Sequence, residues 1–362
     1  MTVEMSYKRF ITGFSLIFIV LAVILMGLVY VSDPYVYYHK EGIYKRTFIK
    51  NFNMRYQMAG MIRNLDYDTV FIGTSMAHNF KEETIDRKLD AASLNASISG
   101  SSAHEQKKAA ELAVKSKDIK KIYWEINYDS LAGEPDRKDA TFPEYLYDRN
   151  IINDLPYLLS YDALKKIDYQ YHNQDKVNMD ADPRSYYKFG EKRPPLTVSG
   201  MKEQLEGISA PPAASHNTES YMESFRTNML SMAKKHPDIE FTFFYTPYPI
   251  TRHVVVDEGK PVITADRLQV KKDIFKELDS LGNVEVYDFQ DESEITFNVS
   301  NYMDRSHYFP YVNDWMLDEM SKGNSIKTLA EYDQKISNMR EQIKNFKYAQ
   351  LKENSSETAM SK

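Results

Sequence analysis

The sequence predicts an α/β protein: a parallel sheet with helices on both faces, arranged as three layers (α/β/α), preceded by one transmembrane helix. Three observations support this fold class. An uncharged apolar run occupies residues 10–31. Short β-prone runs then alternate with helical stretches, which is typical of a parallel sheet covered on both faces. Finally, 42% hydrophobic and 27% charged residues are the proportions of a globular chain.

The apolar run is predicted to be an uncleaved membrane anchor behind a short N-terminal segment, residues 1–9. At about 1.5 Å per residue, a helix over 10–31 crosses the roughly 30 Å hydrocarbon layer. A secretory signal has a shorter apolar core and a small-residue cleavage site, whereas this run ends in "GLVYVSDPY". A buried core helix is the alternative. Basic residues flank the run on both sides, so their count leaves the orientation open: Lys8 and Arg9 before it, and Lys40, Lys45, Arg46 and Lys50 after it.

The rest of the chain is predicted to form one domain, residues 66–348, reached through a juxtamembrane connector at 32–65. Its rhythm breaks at about 131–218, which is interpreted as an insertion packed over the strand ends. Residues 349–362 are polar, and we expect them to be disordered. Five strands are predicted, at Asp68–Gly73, Leu94–Ser99, Ile122–Ile126, Phe241–Thr246 and Val284–Phe289.

Composition excludes several function classes. The net charge of −6 and the lack of a basic stripe with interleaved aromatics give no reason to expect nucleic-acid binding. The chain has no cysteine, which excludes disulfides, thiolate metal sites and cysteine nucleophiles. No His or carboxylate cluster has ligand spacing, so neither a metal nor a cofactor is expected.

The stretch "FIGTSMAHNF" places Ser75 where the first strand of the predicted sheet must end. One interpretation is a helix start, in which the serine only caps the helix. The other is a nucleophile presented at the strand tip. "GTSMA" resembles the G-x-S-x-G elbow, with Ala77 in place of the last glycine. A serine nucleophile also needs a base.

His307 is the favoured base, because Asp304 precedes it by three residues in "NYMDRSHYFP". An aspartate at that separation can accept from one imidazole nitrogen and leave the other free. His78 lies closer to Ser75 in sequence, in a predicted helix, but has no evident orienting acid. Since reacting groups of such sheets lie beyond the carboxyl ends of the strands, Ser75, Asp304 and His307 are predicted to meet there as catalytic residues.

An early serine followed by a late, tightly spaced D-x-x-H resembles the SGNH (GDSL-like) superfamily, whose fold is flavodoxin-like. "SISGSSAHEQ" is similar to the second block of that family, which implies that Gly100 joins Ser75 as an oxyanion-hole donor. "WEINYDS" offers Asn127 as a third donor, but Glu125 stands where the family has glycine. Behind a single anchor, these motifs resemble the membrane-tethered DltD/AlgJ-like acyltransferase branch.

The resemblance implies an extracytoplasmic, single-pass enzyme of the cell membrane. It would transfer an acyl group, expected to be acetyl, through an acyl-serine to a polysaccharide or teichoic-type polymer, with a membrane-bound MBOAT-like protein as donor. Two alternatives remain: an SGNH esterase or deacetylase acting on the same polymers, and a non-catalytic membrane-tethered partner of a synthesis complex.

Trp124 and the tyrosines of the predicted insertion allow two interpretations. They could form a stacking surface for sugars, or they could pack the insertion onto the core. The residues in question are Trp124, Tyr145, Tyr147, Tyr157 and Tyr161.

Overall fold

The computed structural model describes residues 2–40, 53–173, 193–208 and 218–354. Basic residues 45, 46 and 50 lie outside this part of the chain, as do residues 355–362 of the predicted tail. The chain divides into two compact units. The helical unit comprises Met1–Leu65 and Pro143–Tyr186, and the sheet unit comprises Asp66–Phe142 and Tyr187–Lys362.

All five predicted strands are present, and they form one parallel sheet in the order β2-β1-β3-β4-β5. Their bounds are β1 Thr69–Ile72, β2 Ser93–Asn95, β3 Lys121–Glu125, β4 Glu240–Tyr245 and β5 Val284–Asp288. Fifteen α-helices lie in the described residues: α1 Thr2–Ser32, α2 Met54–Asn64, α3 Glu82–Leu89, α4 Ala103–Ser116, α5 Tyr128–Leu131, α6 Leu155–Leu158, α7 Tyr161–His172, α8 Val198–Leu205, α9 Thr218–Phe225, α10 Ser231–Lys235, α11 Ile250–Gly259, α12 Pro261–Asp279, α13 Ser293–Thr296, α14 Pro310–Ser321 and α15 Leu329–Lys344.

Helices cover both faces of the sheet, as the strand order requires. The chain moves one way from β1 to β2 and back the other way from β2 to β3, and right-handed crossovers then put α3 and α4 on opposite faces. Helix α14 packs on α3, whereas α9, α10 and α12 form a connected group with α4. The predicted α/β architecture is therefore confirmed.

The strands are buried on both faces because their side chains alternate between two aromatic layers. Phe71 stacks on Tyr123 with ring centroids 4.4 Å apart, and Phe80 lies 5.1 Å from Phe71 on that side. Trp124 points the other way, where its indole N–H donates to Gln106 of α4 at 2.8 Å. Full burial of Trp124 excludes it from a sugar-stacking surface.

In the helical unit, α1 is long and apolar enough to cross a membrane over Tyr7–Ser32, with a mean hydropathy of 2.9, and no second such helix occurs among the described residues. Asp33 follows α1 directly and adopts φ 41°, a left-handed conformation that aspartate tolerates better than most residues. Its carboxylate accepts backbone N–H bonds from Tyr37, Tyr38 and His39, each at 2.8 Å. This turn fixes the direction in which the chain leaves α1.

The segment predicted as one insertion at 131–218 divides between the two units. Residues 143–173 pack with α1 and α2, and the hydroxyl of Tyr157 donates to Asp33 at 3.0 Å. Tyr147 is equally buried and donates to the carbonyl of Arg55 at 2.6 Å. Burial therefore excludes these two tyrosines from a sugar-stacking surface, and they pack inside the helical unit, whereas Tyr161 is exposed. Residues 32–40 and 53–65 belong to this core and are more than a connector.

The start of the predicted tail also differs from expectation. Residues 351–354 return to the sheet unit, where the Lys352 N–H donates to the Phe297 carbonyl at 2.9 Å. Lys352 in turn accepts from the Val299 N–H at 2.9 Å. Paired backbone groups hold this part of the chain in place, although its composition is polar.

Candidate functional site

The three predicted catalytic side chains lie together at the carboxyl edge of the sheet. Ser75 follows β1, and its Oγ lies 2.9 Å from Nε2 of His307, although 232 residues separate them. Nδ1 of His307 lies 2.9 Å from Oδ2 and 3.0 Å from Oδ1 of Asp304. The strand order reverses between β1 and β3, and such a reversal is where doubly wound sheets open a crevice.

Ser75 sits in a tight turn and does not cap a helix. The next helix, α3, begins only at Glu82, so the helix-start interpretation of this serine is wrong. The turn is closed by the Ala77 N–H, which donates to the Thr74 carbonyl at 3.1 Å. The amide of Asn95, at the end of β2, donates to the carbonyls of Ala77, His78 and Phe80 at 2.8–3.2 Å. The hydroxyl of Ser75 is left partly exposed.

Glu125, at the end of β3, holds the base of this turn. One of its oxygens accepts the Thr74 N–H at 2.7 Å, and the other accepts from Asn127 at 3.0 Å. Burial raises the pKa of the Glu125 carboxyl, while these hydrogen bonds oppose the rise. A Cβ on Gly73 would lie 2.6 Å from Glu125 Oε2, so only glycine fits beside this carboxyl group.

Asp304 is held as a carboxylate by the loop that carries His307. Burial raises the pKa of Asp304, but hydrogen bonds from the His307 ring, the His307 N–H and the Ser306 N–H outweigh it and hold the pKa at about 2. A charged Asp304 keeps the imidazole proton on Nδ1, which leaves Nε2 as an acceptor facing Ser75. The pair can therefore accept the hydroxyl proton of Ser75.

Side-chain hydrogen bonds fix this loop against neighbouring elements. The hydroxyl of Tyr308 donates to the Met76 carbonyl at 2.5 Å. This bond joins the loop that carries His307 to the turn that carries Ser75, called the serine turn below. Tyr302 donates to the Pro247 carbonyl at 2.9 Å, and Arg252 donates to Ser306 at 2.7 Å. Residues on both sides of His307 are thus tied to the chain after β1 and after β4.

Gly100 lies in the loop between β2 and α4 with φ 63°, and it lines the same pocket as Ser75. Its neighbour Ser101 donates to the Gly73 carbonyl at 3.1 Å, which holds this loop beside the end of β1. Among the described residues, the N–H groups of Ser75 and Gly100 have no protein acceptor. Two such donors beside a serine hydroxyl could stabilise an oxyanion.

Asn127 lies in the pocket, but both of its amide hydrogens are engaged. They go to Glu125 and, at 2.7 Å, to the hydroxyl of Tyr248. Its oxygen accepts the Asp129 N–H at 2.9 Å, which fixes the orientation of the amide. Tyr248 also lines the pocket, and burial raises its pKa, so the hydroxyl keeps a proton of its own. That proton is not used by the bond from Asn127.

The pocket is small, about 190 Å³, and its charges are balanced. Arg252 stands at its edge, 4.4 Å from the ring centroid of Tyr248, and forms an ion pair with Asp129 at 2.8 Å. A larger surface groove of about 760 Å³ lies elsewhere on the sheet unit, and no nucleophile or base of the kind described here lines it. The smaller pocket is the candidate site because Ser75 and His307 line it.

His78, the alternative base, occupies a turn and not a helix, and its Nε2 lies 2.9 Å from the Ser97 carbonyl. No motif in the sequence marks Glu125, Tyr248 or Arg252 as site residues, and Glu125 stands out only as a departure from the family pattern. Glu125 ends β3, Tyr248 lies in the loop after β4 and Arg252 lies in the first turn of α11, so their place beyond the carboxyl ends of the strands is the available signal.

Among the described residues, no group of three or more His, Asp or Glu side chains could hold a metal ion. No protein-family model matches the chain, and no curated protein matches it. The class that the fold and site define is thus an α/β protein with a parallel five-stranded sheet and a serine–histidine–aspartate chain at its carboxyl edge.

Proposed function

We propose that the protein is a serine-dependent O-acyltransferase of the membrane-anchored SGNH kind. The observation that carries the proposal is the unbroken hydrogen-bonded chain from Ser75 through His307 to Asp304. A base at 2.9 Å, itself oriented by a carboxylate, is the arrangement that activates a serine hydroxyl.

In the proposed reaction, Ser75 Oγ attacks the carbonyl carbon of an acyl donor while His307 Nε2 takes the hydroxyl proton. Asp304 stabilises the imidazolium that forms. Collapse of the tetrahedral intermediate expels the leaving group, which receives the proton from His307, and the acyl group stays on Ser75. An acceptor hydroxyl then loses its proton to His307 and attacks the acyl-serine. Collapse of this second intermediate breaks the bond to Ser75 Oγ, which takes the proton back from His307, and the acylated acceptor leaves.

The oxyanion of each intermediate would be stabilised by the Ser75 and Gly100 N–H groups, whose lack of a protein acceptor among the described residues supports this role. Asn127 could donate only by releasing Glu125 or Tyr248. We therefore assign the third donation to the Tyr248 hydroxyl, with Asn127 as the group that positions it. Preorganised donors of this kind need no rearrangement when charge develops.

The sequence resemblance supports the remaining parts of the proposal. These are a polysaccharide or teichoic-type acceptor, an acetyl group, a membrane-bound acyl-donor protein and an extracytoplasmic location. The apolar helix α1 supports a membrane location and leaves the side open. The proposed chemistry requires no metal or cofactor.

The test uses the full chain in lipid nanodiscs with p-nitrophenyl acetate, with and without a cello-oligosaccharide or a glycerol-phosphate oligomer. We expect an acetyl group on Ser75 by peptide mass spectrometry, slow release in water, and acetylated acceptor. Ser75→Ala should abolish all three, whereas Ser280→Ala, at an exposed serine beyond α12, should change none.

Two results would overturn the proposal. Fast release to water that no acceptor changes would favour an esterase. Absence of Ser75-dependent acetylation, with both acceptors and with a membrane fraction as donor, would favour the non-catalytic partner.

A further inference from the structure

The helical unit exposes a row of large apolar side chains that α1 does not account for. We call this row the apolar ridge; its members are Ile151, Ile152, Leu155, Leu159 and Tyr161. Each has about half or more of its surface exposed, and Ile152 reaches 81%. Such a row of exposed large apolar residues marks a surface that contacts something other than water.

In the segment that carries the ridge, polar side chains are buried and apolar side chains are exposed, the reverse of a segment that faces water. Between its exposed aliphatic residues lie Asp154 and Tyr157, both of which are fully buried. Asp154 accepts from the hydroxyl of Tyr38 at 3.0 Å, and Tyr157 donates to Asp33 at 3.0 Å. The polar groups therefore satisfy one another inside the unit while the aliphatic groups face out.

The location of the ridge indicates what it faces. Helices α6 and α7, which carry Leu155 and Tyr161 and are joined through Leu159, pack against α1. Asp33, the partner of Tyr157, is the first residue after α1, and Val29 in the last turn of α1 is fully buried. The ridge thus lies beside the end of the apolar helix, where a membrane-spanning helix leaves the hydrocarbon layer.

The C-terminal end of the ridge has residue types that are common where the hydrocarbon layer meets the headgroups. Tyr161 is 69% exposed, and the ammonium group of Lys165 lies 4.4 Å from its ring centroid. Tyrosine and lysine are enriched where hydrocarbon meets headgroups, because each has an apolar body and a polar tip.

We propose that the apolar ridge lies in the interfacial layer of the bilayer that α1 spans. The helical unit then contacts the membrane at two places, through α1 and through residues 151–161. The side chains of the ridge enter the acyl-chain boundary, and the buried cluster around Asp33 fixes the angle between the two contacts. This inference does not depend on the reactivity of Ser75.

The absence of cysteine from the sequence makes a direct test possible. Single cysteines are introduced as Ile152→Cys, as Ile17→Cys on the exposed surface of α1, and as Val262→Cys, which is 60% exposed in the sheet unit. Each full-length variant is labelled with a nitroxide and placed in lipid nanodiscs. Power-saturation electron paramagnetic resonance then compares access by oxygen, which enters lipid, with access by a water-soluble nickel chelate.

We expect the label at position 152 to favour oxygen, as the label at position 17 does, and the label at position 262 to favour the chelate. Two results would overturn the proposal: chelate access at position 152 equal to that at 262, or shielding of position 152 from both reagents, which would indicate contact with protein. Leu159→Cys repeats the test if the first variant does not fold.

Discussion

Replacing Gly73 with alanine tests whether the base of the serine turn is as tightly built as the distances indicate. The new Cβ would lie 2.6 Å from Glu125 Oε2 and 2.8 Å from Ala77 Cβ. Ordinary contact begins at 3.4 Å, so the carboxylate oxygen must retreat by about 0.8 Å. That movement breaks its 2.7 Å bond with the Thr74 N–H. Overpacking of this kind costs about 1–3 kcal/mol, and the lost hydrogen bond adds about 1 kcal/mol.

Both consequences can be measured without knowing the natural substrate. The two tryptophans of the chain, Trp124 and Trp315, lie in the sheet unit, so their fluorescence during urea unfolding reports on that unit alone. We expect Gly73→Ala to lower its free energy of unfolding by about 2–4 kcal/mol. The rate at which a fluorophosphonate labels Ser75 should fall at least about tenfold, the equivalent of 1.4 kcal/mol at the reacting centre.

The matched control is Gly282→Ala, because a Cβ there meets no atom within 4 Å and the backbone is not left-handed. It should leave both measurements close to those of the unchanged protein. If Gly73→Ala also unfolds and reacts like the control, the close approach of Glu125 to the serine turn is refuted.

Three further predictions concern other groups. Asp304→Asn should lower the acylation rate of Ser75 by about 10³–10⁴-fold, since the imidazole loses its fixed tautomer. Because the folded pKa of about 2 lies below the ordinary 3.8, the charged Asp304 contributes about 2 kcal/mol of stability above pH 4, and this contribution disappears toward pH 2. Urea unfolding across that pH range should therefore show a loss of stability that the variant lacks. Tyr248→Phe should slow acylation by about 10²–10³-fold in stopped-flow measurements, and an unchanged rate would return the third oxyanion contact to Asn127. Asp33→Ala should speed hydrogen exchange of amides 37–39 at least about tenfold, while Asp33→Asn, which keeps one acceptor, should have a smaller effect; equal protection in all three proteins would contradict the role of the carboxylate.

The strands were predictable because a strand buried on both faces is a short, near-continuous run of apolar or β-prone residues, and such a run is visible in the sequence. Their ends were less accurate. The predicted strand at Leu94–Ser99 is only Ser93–Asn95. The side-chain amide of Asn95 donates to the turn that carries Ser75, and its side-chain oxygen Oδ1 accepts the Ser97 N–H at 3.1 Å. The residues around Asn95 in the sequence give no indication of such a contact.

The division of the insertion was not predictable for a similar reason. Nothing near Tyr157 in the sequence indicates that its partner is Asp33, which lies 124 residues earlier. The tyrosines there suited a sugar surface as well as a core, and only tertiary contacts distinguish the two. At the candidate site, chemistry-bearing residue types identified Ser75, Asp304 and His307, whereas Glu125 and Tyr248 matter through contacts with other side chains.

The distance along the chain between Ser75 and His307 has a consequence for biosynthesis. A ribosome adds about 5–20 residues per second, so roughly 10–50 s pass between synthesis of the serine and of its base 232 residues later. During that interval α1 and the first strands can already be delivered to the membrane. Under the proposed function, the Ser75 hydroxyl has no base throughout that interval, because His307 has not yet been translated. If the proposal holds, we expect no Ser75-dependent acyl transfer or hydrolysis from a nascent chain that still lacks His307.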